Sequence, residues 1–313
     1  MQERKLKGKS IVVLGASRGV GREIVRRVSA EGAAVLAITE ALSDRERLAT
    51  EVKGIQILAL DASRDKAPAH VFDVLRPDVL VICGDANPPL KPVHELTWTE
   101  FSEPFDVVRI SVLFCAYALR APLAAGSSVV LVSSGAGPAG WPPSGGYAGA
   151  TSTQMFMAEH CQRESTRLGL SIRFNCLVPM RLTSETALGA VGIEDYARRL
   201  GTQPQEFLAY MSSRQSTHDV AEALVELVSA PPAATETVFA VSAATAIARS
   251  SGPWSPSRRT PRLTASRSPC SGSRRQEAQN EGPSSPTVGR SSVAPCVARD
   301  TGPRSRTIHH AIF

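Results

Sequence analysis

After Lys91 the 313-residue chain contains no lysine, and between Asn87 and Asn175 it contains no asparagine. No stretch reaches the roughly 18 uninterrupted apolar residues that a membrane-crossing helix needs, so no membrane partner is expected. The six cysteines (Cys83, Cys115, Cys161, Cys176, Cys270 and Cys296) form no C-x-x-C pair, and no histidine cluster accompanies them. That spacing argues against a disulfide framework or a metal site and for buried apolar thiols. His70, His94, His160 and His218 stand singly, which gives neither metal-ligand spacing nor a Ser/His/Asp hydrolase arrangement. Residues 1–9 are charged and run straight into a strand, without the apolar core of a signal peptide. The cytoplasm is the expected location.

The net charge of +6 is unevenly spread. Residues 247–313 hold 11 Arg, 13 Ser, 8 Pro and only 3 acids, whereas residues 1–246 hold 24 basic and 26 acidic residues. The first 246 residues therefore carry no electrostatic footprint for nucleic acid, and no nucleic-acid partner is expected. The tail shows no hydrophobic period and cannot bury enough apolar surface to offset its ordering entropy. Its readings are a disordered Arg/Ser/Pro-rich tail, a basic arm for nucleic acid or acidic partners, or a shifted reading frame beyond the end of a domain. The expected division is one domain over 1–246 and a disordered tail over 247–313.

Within the first 246 residues, short apolar runs alternate with helical stretches. Runs at 11–14, 33–38, 55–60, 79–82, 128–132, 172–177 and 237–241 read as seven strands. Residues 19–30, 100–120, 147–168 and 218–229 read as helices. Strands that are apolar throughout, rather than alternating, belong to a parallel sheet covered on both faces. The strand–helix alternation gives right-handed βαβ units and a single α/β, doubly wound domain. Residues 100–120 are apolar nearly all round, as in a helix buried on several sides or set in a subunit interface.

Gly15-Ala16-Ser17-Arg18-Gly19-Val20-Gly21 lies between the first strand and the first helix. Glycines there permit a tight turn and let backbone amides approach a pyrophosphate at the helix N-terminus. The G-x3-G-x-G spacing resembles the short-chain dehydrogenase/reductase family, and the resemblance extends to about residue 246. It implies a Rossmann-type fold and a dinucleotide held by Gly15, Ser17, Arg18, Gly19, Val20 and Gly21. It further implies an adenine contact from Asp61 with Ala62, and a turn at Gly84. The end of the second strand carries Thr39 rather than the acid that selects NAD, and Arg18 precedes the second glycine. Both favour NADP as cofactor, although Glu40 would repel a 2′-phosphate and NAD stays open.

Ser134 and Tyr147 stand thirteen residues apart, the family's spacing for the residue that orients the substrate oxygen and the acid/base that exchanges a proton with it. The family's Y-x3-K then reads Tyr147-Ala148-Gly149-Ala150-Thr151, so Thr151 occupies the lysine position with no charge to lower the Tyr147 pKa. The N-N-A-G segment reads Ile82-Cys83-Gly84-Asp85, and the helix asparagine is lost near Arg109. Beyond the sixth strand, Pro179 and Thr183 match residues at the nicotinamide, while Met180 replaces a glycine. Residues 184–207 fall where a mobile substrate lid sits. The resemblance implies a homodimer or homotetramer acting on a small carbonyl or alcohol substrate, and the departures at Thr151 and at the lost asparagines imply impaired catalysis. The alternative is a catalytically inactive nucleotide-binding or assembly module.

Overall fold

The computed structural model describes residues 4–84, 88–140, 143–181, 184–210, 215–230, 236–241 and 247–249. The proposed tail from residue 250 onward lies outside the described residues, as do Asp85, Leu182 and Thr183. The strands are β1 Ser10–Leu14, β2 Ala34–Thr39, β3 Gln56–Ala59, β4 Val79–Cys83, β5 Ser128–Val132, β6 Arg173–Pro179, β7 Val238–Val241 and β8 Ile247–Arg249. Their spatial order is β3-β2-β1-β4-β5-β6-β7-β8. Pairing is parallel from β3 through β7 and antiparallel between β7 and β8. The seven parallel strands follow the expected doubly wound plan. The eighth falls within residues assigned to the tail, because three residues pairing back on an edge leave no trace in a composition dominated by Arg, Ser and Pro.

Ten helices lie among the described residues. They are α1 Gly19–Ala30, α2 Leu42–Glu51, α3 Ala67–Val74, α4 Trp98–Ser102, α5 Asp106–Arg120, α6 Ala136–Ala139, α7 Gly145–Arg167, α8 Ala187–Leu200, α9 Pro204–Tyr210 and α10 Thr217–Ser229. Alternate strand residues face opposite layers, as the two-residue period requires. Ile11 and Val13 pack with α1 and α10 through Ile24, Val28, Val220 and Leu224. Val12 and Leu14 pack with α3, α5 and α7 through Val71, Phe114, Cys115 and Met155. Arg27 of α1 joins Glu222 of α10 in an ion pair whose partners are both mostly buried.

The single helix expected over 100–120 is broken. A capping box formed by Thr97 and Glu100 starts α4, and a 3₁₀ turn over Glu103–Phe105 separates it from α5. Pro104 lacks an N–H and its ring clashes with the preceding turn, so a continuous α-helix cannot pass through it. The remaining α5 is less uniform than its composition suggests. Val107, Ser111, Phe114, Cys115 and Ala118 are buried, while Val112 faces outward at 47% exposure.

The strand switch between β1 and β4 opens a crevice at their carboxyl ends, where open α/β sheets bind ligands. Phe114 packs in the layer beneath the sheet and is fully buried. Phe114→Ala is expected to lower unfolding free energy by about 3–5 kcal/mol. Val112→Ala, two residues earlier on the outer face, should stay within about 0.5 kcal/mol for an isolated chain. Paired urea titrations check the contrast.

Candidate active site

β1 ends at Leu14, and the chain turns at Gly15 with φ +69° before α1 begins at Gly19. A Cβ on Gly15 would stand 2.5 Å from the Cys83 carbonyl oxygen, and one on Gly21 would stand 2.1 Å from the Gly15 carbonyl oxygen. Three backbones thus meet with no room for a side chain. Arg18 is the N-cap residue of α1, and no side chain caps that helix. Its first-turn N–H groups are the orphan donors that suit an anion, reinforced by the helix dipole. This cradle fits the diphosphate of a dinucleotide. Arg47, which the motif reading did not single out, reaches from α2 to donate to the Ser17 carbonyl at 2.9 Å and to Asp44 at 2.8 Å.

Two adjoining cavities meet at this turn. The first, of about 220 Å³, is lined by Gly15, Ser17, Thr39, Asp61 and Ala62. Asp61 accepts from the Ser63 backbone N–H at 2.9 Å, the Ser63 hydroxyl at 2.6 Å and Arg64 at 2.7 Å. The Ser63 contacts first, and Arg64 after them, hold its carboxyl below the ordinary aspartate value. Glu40 lines the same cavity.

The second cavity, of about 350 Å³, brings the loop together with the proposed acid/base residues: Gly19, Gly21, Ser134, Tyr147, Thr151 and Pro179 all line it. Arg18, Val20 and Gly84 line it too, and Cys83 and Val107 belong to both cavities. Ser134 follows β5 on a loop tied to β6, where Gly135 N–H donates to the Pro179 carbonyl at 2.8 Å. Tyr147 stands in the first turn of α7. Gly146 beside it lets the Phe101 backbone approach so closely that a Cβ there would lie 2.2 Å from the Phe101 carbonyl oxygen.

Burial raises the Tyr147 pKa above its ordinary value of 10, and a hydrogen bond with the Ser134 hydroxyl offsets part of that rise. Burial dominates because a phenolate loses more solvation than one neutral hydroxyl returns. Thr151 is buried, and its hydroxyl points back along its own helix, donating toward the Tyr147 carbonyl at 2.9 Å and the Ala148 carbonyl at 3.2 Å. The Ser133 hydroxyl donates to the Thr151 carbonyl at 2.9 Å. Arg109, near which the helix asparagine is lost, is surface-exposed and pairs with Asp65 at 3.4 Å.

Gln154 was missed by motif reading. It is buried, lines the cleft and donates to the Ser111 hydroxyl at 3.3 Å. Its place two helical turns beyond Tyr147 was the available signal. The segment expected to be a lid contains two helices, α8 and α9, joined by their own small core of Ile193, Ala197 and Phe207. Thr186 caps α8 by accepting from Gly189 N–H at 3.0 Å, and its methyl would lie 3.3 Å from a Cβ on Gly19. The start of α8 therefore closes directly over the glycine loop.

Residues 9–190 match the profile of the family described as short chain dehydrogenase. L-xylulose reductase of Bos taurus is 29% identical over 130 residues, covering 41% of this chain and 53% of that protein. The chain thus spans about half the length of that relative. Carbonyl reductase [NADPH] 2 of Sus scrofa is 26% identical over 197 residues, covering 62% of this chain and 80% of that protein. Among solved structures, a putative short chain dehydrogenase from Pseudomonas syringae superposes with a TM-score of 0.61 at 21% identity, covering 72% of this chain and 91% of that one. One from Shigella flexneri, complexed with NADP, superposes at 0.59 with 19% identity over 72% of this chain and 93% of that one.

Gly21→Ala should abolish dinucleotide binding and cost at least about 1–3 kcal/mol of stability through overpacking against Gly15. Calorimetry on both forms checks it. A second expectation concerns alkaline pH. Below pH 10 the Tyr147 phenol keeps its proton whether the chain is folded or not. Above it the unfolded chain releases that proton more readily than the native protein, so native stability falls. The alkaline loss should be smaller in Tyr147→Phe, measured as melting temperature between pH 8 and 11.

Proposed function

The chain belongs to the short-chain dehydrogenase family, and from that premise we propose that it catalyses a slow NADP(H)-dependent oxidoreduction of a small carbonyl or alcohol compound. The observation that carries this reading is the contact between the Ser134 hydroxyl and the Tyr147 phenol inside a cleft that the glycine loop also lines. When bound, the dinucleotide supplies or accepts a hydride at its nicotinamide ring. The uncapped N-terminus of α1 with Arg18, Gly19, Val20 and Gly21 holds the diphosphate. Asp61, Ala62, Ser17 and Gly15 would surround the adenosine half, and Gly84, Thr151 and Pro179 the nicotinamide end, to which the family resemblance adds Thr183, outside the described residues. Arg18 is exposed on the loop, and Arg47 comes close beside it at the Ser17 carbonyl. Both support NADP over NAD, whereas Glu40 opposes it.

Ser134 donates to the substrate oxygen and orients it. Tyr147 gives the proton to that oxygen in reduction and takes it back in oxidation. A raised phenol pKa makes Tyr147 a ready proton reservoir but a poor base, so oxidation should gain rate as pH rises toward 10. Val112 and Phe156, exposed at 47% and 52% on α5 and α7, support assembly as a homodimer or homotetramer through those helices. The compartment proposed is the cytoplasm.

A second reading, a binding module without turnover, is favoured by one observation. Thr151 commits its hydroxyl to its own helix and brings no cation to Tyr147. Titration of the full chain with NADPH and NADH, followed by nicotinamide fluorescence, is expected to give affinities on the order of micromolar, tighter for NADPH. Absence of binding to either in a folded sample would remove the oxidoreductase reading. In the dinucleotide-bound protein, Thr151→Lys should raise turnover by about 10²-fold. An unchanged rate would point to the binding module.

A further inference from the structure

The larger cleft contains a cation that the dinucleotide reading does not use. Arg181 follows β6 and lines the cavity together with Ser134, Tyr147 and Gln154. Its backbone is tied to the end of the sheet. The Arg181 N–H donates to the Gln215 side-chain oxygen at 3.3 Å, and buried Gln215 donates in turn to the Val241 carbonyl at the end of β7, at 3.0 Å.

The Arg181 guanidinium has no ion pair or hydrogen bond among the described residues, and the residue is half-buried. Other charges around the cleft are committed elsewhere. Arg22 pairs with Glu51 at 3.4 Å, and Arg18 belongs to the phosphate loop. Glu185 accepts from the Thr217 N–H at 3.1 Å and from its hydroxyl at 2.8 Å. Gly135 N–H donates to the Pro179 carbonyl at 2.8 Å, which sets the loop of Ser134 beside the loop of Arg181.

A half-buried guanidinium with no ion pair among the described residues costs free energy until an anion meets it, and its fork of donors matches a carboxylate. We propose that Arg181 recognises a carboxylate on the substrate, so that the cleft takes keto acids and their hydroxy-acid counterparts. The inference rests on the oxidoreductase reading of the same cleft and adds the substrate class to it.

The test uses the full chain saturated with NADPH and calorimetric titration of 2-oxobutanoate, 3-oxobutanoate and 4-oxopentanoate, each against its own methyl ester. At least one acid should bind about tenfold or more tightly than its ester, a preference that weakens with added salt. Arg181→Met should erase the preference while leaving NADPH affinity unchanged, and Arg181→Lys should restore part of it. If no acid binds more tightly than its ester, the proposal is overturned. It is also overturned if Arg181→Met weakens NADPH binding about tenfold, because the guanidinium then serves the dinucleotide's diphosphate. Should Arg181→Met fail to fold, the acid-to-ester comparison and its salt dependence in the unaltered chain decide the matter. Failure of NADPH itself to bind defeats the oxidoreductase reading instead, and the same comparison without dinucleotide then tests Arg181 separately.

Discussion

The contact among the backbones of Gly15, Gly21 and Cys83 is the constraint on which the site depends. It holds the N-terminus of α1 against the carboxyl ends of β1 and β4, where the strand order reverses. Any side chain at Gly15 or Gly21 would force the helix away from the sheet. The same contact joins the two cavities, since Cys83 lines both. The α1 N-terminus, Ser134 and Tyr147 therefore meet because the sheet brings the ends of β1, β4, β5 and β6 to one edge.

The chemistry turns on a balance around Tyr147. Burial favours the neutral phenol, one Ser134 hydroxyl opposes it, and among the described residues no cation adds to the opposition. Each unit of pKa corresponds to about 1.36 kcal/mol of differential stabilisation between protonation states. An ammonium close to the phenol would be the largest available counterweight. Thr151 offers none and turns its hydroxyl inward. On the proposed reading, the Ser134–Tyr147 contact would serve proton transfer, while the raised pKa would make the phenol a weaker base at neutral pH.

Much of this was legible in the sequence, for identifiable reasons. The parallel strands are largely apolar, and all but β3 are buried along most of their length, so composition and burial agree. The glycine loop carries its own steric logic, and the Ser134–Tyr147 spacing was enough to pair those residues. Other features were not legible. α2 buries only Leu48 and shows little period, and α8 and α9 pack on each other in a segment read as a lid. The apolar composition of 100–120 does not show the break that Pro104 makes in it. Gln154 and Arg181 belong to no motif, and only the folded chain shows that they line the cleft beside Tyr147.

The most direct measurement is the titration of the Tyr147 phenol, followed by NMR of protein labelled with ¹³C at the tyrosine ζ carbon and assigned by Tyr147→Phe. The account predicts an apparent pKa above the ordinary value of 10, falling when Thr151→Lys places an ammonium nearby. A phenol that titrates below 10 in the unaltered protein would contradict it, because some other group would then be supplying the missing charge.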